Sequence, residues 1–158
     1  MQKEYGDDIR IVSKHYLVHP QTASLPAWAS CAADKQGRFH DYENAVWDKL
    51  YKSRKFDKAS LEGLASEMGF DMTKFKSDME GACKKQVSSD MRDLQKFGAR
   101  GTPAFFINGR FLSGARPYRS FKSIVDEELK KANDRIKKGT KPENYYAEWV
   151  MKKGKKSL

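Results

Sequence analysis

Gly101-Thr102-Pro103-Ala104-Phe105-Phe106-Ile107-Asn108-Gly109-Arg110-Phe111-Leu112 is the stretch on which the fold turns. Ala104 to Ile107 is a short continuous apolar run rich in aromatic and β-branched residues, the composition of a buried strand. Asn108-Gly109 is the strongest two-residue hairpin signal, because both central residues of the favoured turn need positive φ. Arg110 to Leu112 then reads as the returning strand. Pro117 opens a long amphipathic helix carrying Phe121, Ile124, Val125, Leu129, Ala132 and Ile136, which Gly139 stops. A last short helix from Pro142 carries Tyr145, Tyr146, Trp149 and Val150 and ends near Gly154.

Upstream of the hairpin the period is helical. Pro26 suits the first turn of a helix bearing Leu25, Trp28, Ala29 and Ala32, with Cys31 near that apolar side and Gly37 as the stop. Tyr42, Val46, Trp47, Leu50 and Tyr51 recur at helical spacing, and so do Leu61, Leu64, Ala65 and Met68 up to Gly69. Asp71 is placed as an N-cap before Phe75 and Met79. Cys83, Val87, Met91 and Leu94 follow at three- and four-residue steps as far as Gly98, which sets Cys83 on a buried stripe. At the start of the chain, Ile9, Ile11, Val12, Tyr16, Leu17 and Val18 give a strand-like pattern that Pro20 closes.

The chain has 158 residues, 39% of them hydrophobic, enough for one domain with a real core. Its mean hydropathy is −0.82, and no apolar run approaches the roughly 20 residues needed to cross a bilayer. The 12% aromatic content excludes a disordered chain. The net charge of +10 is unevenly placed. Residues 1 to 129 hold 21 basic and 18 acidic side chains, whereas 130 to 158 hold 10 and 3. A near-neutral body with a basic tail, and no groove-reading or base-stacking motif, disfavours nucleic acid as the partner. There is no P-loop pattern and no zinc-ligand spacing, so neither metal nor cofactor is expected. His15 and His19 lie on a strand and its exit, not on one helix face, and His40 beside Asp41 reads as capping or solvent chemistry. Met1-Gln2-Lys3-Glu4-Tyr5-Gly6 lacks the basic start and apolar centre of a secretory signal, so the chain as written is expected in the cytosol.

Strand, helical block, Gly-Thr-Pro, hairpin and terminal helix together resemble a DsbA-like thioredoxin-fold protein with a helical insertion. Phe97 to Arg110, with Leu112-Ser113-Gly114-Ala115, resembles the family's cis-proline loop and hairpin. Glu4-Tyr5-Gly6-Asp7 with Lys14-His15 and His19-Pro20 resembles the strand after the active-site helix, and Ser60-Leu61 through Lys76 the inserted helices. The expected fold is therefore α/β, a thioredoxin-like remnant with a sheet of about three strands and a long C-terminal helix. Residues 1–139 are expected to form this domain, with a helical insertion at about 21–98, and 140–158 a basic aromatic tail that docks on the core or on a partner copy.

The resemblance also implies what this stretch of chain does not contain. In the family, a first strand, a C-x-x-C pair and the helix it opens come before the point where this sequence starts. The chain is thus expected to be N-terminally truncated, lacking the adjacent cysteines that dithiol exchange requires. Cys31 and Cys83 stand 52 positions apart and match neither member of the pair. Packing as buried neutral thiols is the expectation for each, with a mutual disulfide and a repurposed catalytic thiol as alternatives. By the same resemblance the Thr102-Pro103 bond is cis, and Gly101, Thr102 and Pro103 form the loop that in the family offers its backbone to an extended substrate peptide; without the cysteines the loop either still binds unfolded peptide or is retained simply as a turn.

Loss of a central strand leaves either a gap or a rearranged sheet, which two remaining strands closing up, a swapped second copy, or a longer parent protein could each explain. The favoured reading is a homodimer with swapped elements, inactive in dithiol exchange and acting through protein or unfolded-peptide contacts. A thiol-disulfide oxidoreductase using Cys31 or Cys83 is one alternative, and a basic module for nucleic acid or an anionic surface is the other. The family implies a periplasmic origin.

Overall fold

Proline suits the first turn of a helix, where its missing N–H would have had no intrahelical partner, and helix α2 (Pro20–Asp34) begins on Pro20. The expected start at Pro26 is therefore six residues late. Pro26 lies inside the helix and cannot donate to the Thr22 carbonyl four residues back, an interruption that packing on the core offsets. The computed structural model describes residues 1–154, so the last four residues of the tail predicted at 140–158 lie outside the described residues. Among the described residues no helix is long and apolar enough to cross a membrane.

Two units make up the chain: a helical unit, Lys14–Leu94, and a sheet unit, Met1–Ser13 together with the chain from Gln95 onward. In the helical unit, α3 (Phe39–Ala45) continues as a wider π-helical turn, Val46–Tyr51, and is followed by α4 (Lys58–Glu67), α5 (Met72–Glu80) and α6 (Ala82–Lys96). Two of these starts are set by side-chain caps. Asp57 accepts from the Ser60 amide at 2.9 Å, and Asp71 accepts from the Lys74 amide at 3.0 Å, each satisfying a backbone N–H that has no helical partner.

The core of the unit is built on three rings. Tyr42, Phe70 and Phe75 meet pairwise with centroids 5.6 to 5.7 Å apart, in the tilted and edge-on geometries that aromatic quadrupoles favour. Tyr42 is fully buried, and its hydroxyl donates to the Leu61 carbonyl at 2.9 Å, so the polar end of the ring is satisfied. Burial holds the Tyr42 phenol well above its ordinary pKa. Leu61, Leu64, Ala65 and Met79 close the cluster, as their helical spacing predicts. The spacing misplaces two residues: Trp47 and Tyr51 are 55% and 52% exposed. The inward positions of that stretch are taken by Tyr42, Val46 and Leu50, leaving Trp47 and Tyr51 on the opposite side.

Residues 9 to 18 form neither strand nor helix, which corrects the strand expected there. Alternating apolar residues stay in a strand only when a neighbour takes up their backbone groups, and none lies beside this segment among the described residues. Ile11 and Val12 are accordingly 62% and 58% exposed. From Lys14 onward the segment is instead strapped to α6. The buried Asp90 carboxylate accepts from Lys14 Nζ at 2.7 Å, from the His15 amide at 3.2 Å and from Gln86 Nε2 at 3.0 Å, while the Leu17 amide points at Met91 Sδ, 2.9 Å away. Burial in this strap lowers the His15 pKa below its ordinary value.

The sheet unit opens with α1 (Gln2–Tyr5) and a 3-10 turn, Gly6–Asp8. Among the described residues its sheet has two strands, not three: β1 (Ala104–Ile107) and β2 (Arg110–Ser113), antiparallel with Ile107 opposite Arg110. Asn108 and Gly109 connect them at φ 46° and 89°, the paired positive values the hairpin signal requires. The long helix α7 (Tyr118–Lys137) packs on β1 through Phe121 against Phe105, centroids 4.7 Å apart. Lys122 on α7 donates to Glu4 at 2.6 Å and holds that carboxyl below its usual pKa. The aromatic tail, α8 (Pro142–Tyr145) running into a π-helical turn at Tyr146–Lys152, docks on the end of α7. There Arg135 donates to the Tyr145 hydroxyl at 2.9 Å, and the Trp149 indole donates to Thr140 at 3.1 Å.

Candidate functional site

The chain leaves α6 through Gly98, whose φ of 81° is the left-handed turn that commonly ends a helix. Its amide donates to the Gln95 carbonyl at 3.0 Å. Arg100 then folds back, its guanidinium donating to the carbonyls of Gln95 and Ala99 at 3.3 and 3.1 Å. The next three residues, Gly101, Thr102 and Pro103, form one short loop feeding directly into β1. The Thr102–Pro103 peptide is cis, and Thr102 and Pro103 are both exposed. The far end of the loop is pinned by the Gly114 amide, which donates to the Pro103 carbonyl at 2.8 Å.

Register decides which backbone groups of β1 are available. In a two-residue hairpin the residues flanking the turn form a hydrogen-bonded pair, and such pairs recur at every second position. Ile107 with Arg110 and Phe105 with Leu112 therefore spend their N–H and C=O groups on each other, and Pro103 continues the pattern with Gly114. The backbone groups of Ala104 and Phe106 point the other way, towards the edge of β1 opposite β2. Among the described residues no strand pairs with that edge. Behind it lies an aromatic support: Phe106 meets Phe97 at 6.2 Å and Phe111 at 5.0 Å. Arg110 ties β2 to α7 by pairing with Glu127, and lies 3.6 Å from the mostly buried Glu128. The loop and the open edge are thus carried on a braced hairpin.

Cys31 and Cys83 are in the helical unit, on α2 and α6, and are not free thiols. They are joined as a disulfide with Cα atoms 5.6 Å apart. This corrects the expectation of two neutral thiols packed separately: both are buried, as the apolar stripes imply, but bonded to each other. Attack on a disulfide needs access for an incoming thiolate, and Cys31 and Cys83 are only 5% and 0% exposed. Sequence reading passed over Asp90. The one signal for it was a carboxylate lying within the stripe of Cys83, Val87, Met91 and Leu94.

A cis-proline loop, a hairpin and a helical block define a thioredoxin-like domain. The model of the DSBA-like thioredoxin domain matches residues 3–126, and the chain belongs to that family. It is 31% identical over 127 residues to a Na(+)/H(+) antiporter NhaA of Herminiimonas arsenicoxydans, a match covering 80% of this chain and 20% of that protein. It is also 31% identical over 124 residues to Na(+)/H(+) antiporter NhaA 1 of Salinispora arenicola, covering 75% and 18%. With Na(+)/H(+) antiporter NhaA 3 of Salinispora tropica the figures are 30% over 145 residues, 86% and 21%. The chain thus spans about a fifth of the length of these curated relatives. No solved structure matches it significantly.

Proposed function

We propose that this chain is a binding member of the DsbA-like family, which takes an extended polypeptide along the Gly101–Thr102–Pro103 loop and the open edge of β1 instead of exchanging disulfides. The observation that carries the reading is the fate of its cysteines: the only two in the sequence are used up in one buried disulfide of the helical unit. The chain's own residues then offer backbone hydrogen bonds and aromatic packing, the ingredients of strand addition. Thr102, Ala104 and Phe106, at alternate positions, supply the backbone groups for an incoming strand.

In the same reading a second copy of the chain can occupy the edge, giving a homodimer with exchanged elements. An unpaired strand edge is the usual template for such pairing. The rival, a thiol-disulfide enzyme using Cys31 or Cys83, draws support from the pairing itself and is opposed by its burial.

The test is the mass of the chain in solution, with and without an unfolded apolar peptide. The reading predicts a dimer at micromolar concentration that the peptide converts to peptide-bound single copies. N-methylation of alternate peptide amides abolishes the conversion, because it removes the donors that pair with β1. A strictly monomeric chain that ignores the peptide overturns the reading.

A further inference from the structure

The helical unit carries an exposed feature that neither its core nor the β1 edge uses. Trp47 and Tyr51 stand one turn apart on the outer side of the π-helical turn, 55% and 52% exposed, with ring centroids 4.2 Å apart. Their inward neighbours Leu50 and Phe56 are packed against the core, so the pair is a deliberate surface projection on a fixed base. The chain immediately after it, Lys52-Ser53-Arg54-Lys55, turns sharply. Its bend is held by the Arg54 amide donating to the Tyr51 carbonyl at 3.1 Å and the Lys55 amide donating to the Leu50 carbonyl at 3.2 Å.

Charge around the pair is of one dominant sign. Lys49 is paired with Glu67, and Lys58 with Glu80, but Lys52, Arg54 and Lys55 are exposed and have no acidic partner among the described residues. Of the acids in the same stretch, Asp57 is spent capping α4, and Asp48 stands alone. Arg54 sits at φ 51°, a left-handed conformation in which glycine would be unstrained and a side chain is not. A long cation is therefore held at the tip of the turn at a position that local geometry alone would give to glycine.

We propose that this turn is an interfacial anchor for an anionic lipid surface, with Trp47 and Tyr51 entering the headgroup region while Lys52, Arg54 and Lys55 meet the anionic headgroups. Trp and Tyr combine an apolar body with a polar tip and collect at membrane–water interfaces, and Lys and Arg on flexible stems reach past them to the phosphates. A nucleic-acid platform fits less well, because stacking on bases needs open ring faces, and here Trp47 and Tyr51 lie against each other. The site is separate from the strand-accepting edge of β1 and does not depend on it.

The test is co-sedimentation of the full chain with vesicles of phosphatidylcholine alone and of phosphatidylcholine mixed with phosphatidylglycerol. Binding to the mixed vesicles only, weakened by salt, is expected. Lys52→Gln and Lys55→Gln each reduce partitioning roughly fivefold, the worth of one cation near an anionic surface, and Trp47→Ala with Tyr51→Ala reduces it by at least about tenfold. Arg54→Gly separates binding from folding: it relieves the left-handed residue, so the melting temperature holds or rises while partitioning falls roughly fivefold. The proposal is overturned by the absence of binding to mixed vesicles, by binding that survives Trp47→Ala with Tyr51→Ala, or by binding lost only on deleting the chain after Gly139. Capture of single-stranded DNA without any vesicle binding overturns it equally.

Discussion

Replacing Cys83 with alanine lowers the unfolding free energy of the helical unit by about 4 kcal/mol. Cys31 and Cys83 are 52 residues apart, and in the chain-entropy picture a cross-link closing a loop of that length removes about this much freedom from the unfolded ensemble. Alanine is the cleaner replacement for the fully buried Cys83 because serine would add a hydroxyl in an apolar setting. The Cys31 thiol left behind is tolerated as a small buried hydrophobe. Urea unfolding without reductant gives the number. Reductant should bring the intact chain down to the level of the variant and leave the variant unchanged. A loss below about 1 kcal/mol would mean that the cross-link adds little to helices already held by their core.

The second large effect is expected at Phe75, where substitution by alanine costs about 3 to 5 kcal/mol. This ring is fully buried, touches both Tyr42 and Phe70, and comes from α5, which packs extensively on α2. Its removal opens a cavity between two aromatic neighbours held on different segments, Tyr42 on α3 and Phe70 in the connection between α4 and α5, so little collapse is available to fill it. The buried Tyr42 hydroxyl keeps its partner, Leu61, and the loss is one of packing alone. Urea unfolding of Phe75→Leu, which refills part of the space, should recover about half of the lost stability. Equal losses for leucine and alanine would show that ring geometry, not volume, sets the cost.

Both residues bear on how far this fold can be read from sequence. Phe75 and Met79 follow an N-cap at Asp71, and the whole signal lies within one helix, so its reading and the structure agree. The hairpin at Asn108-Gly109 is equally local, since its positive φ values are written in two residues. The disulfide was not legible in the same way. Spacing puts Cys31 and Cys83 on apolar sides, but their pairing depends on α2 meeting α6 across 52 residues, and no local pattern encodes that meeting.

The segment 9 to 18 failed for a related reason. Its alternation is that of a strand, yet strand formation belongs to a pair, and among the described residues no strand pairs with it. Trp47 and Tyr51 share the period of Tyr42, Val46 and Leu50 closely enough to pass for core, although they occupy the other side of a helix with two apolar faces. Of the candidate site, the loop residues Gly101, Thr102 and Pro103 were legible as a motif. The open edge of β1 became visible only with the register, because a strand does not announce which of its sides is unpaired.

The central claim is that Cys31 and Cys83 brace the helical unit and that the site works through contact, not through thiols. Reduction of insulin disulfides by the intact chain, compared with Cys31→Ala and Cys83→Ala, tests it most directly. The account predicts no turnover above the uncatalysed rate in any of the three. Turnover by the intact chain that one of the two substitutions abolishes would contradict it and identify that cysteine as the nucleophile.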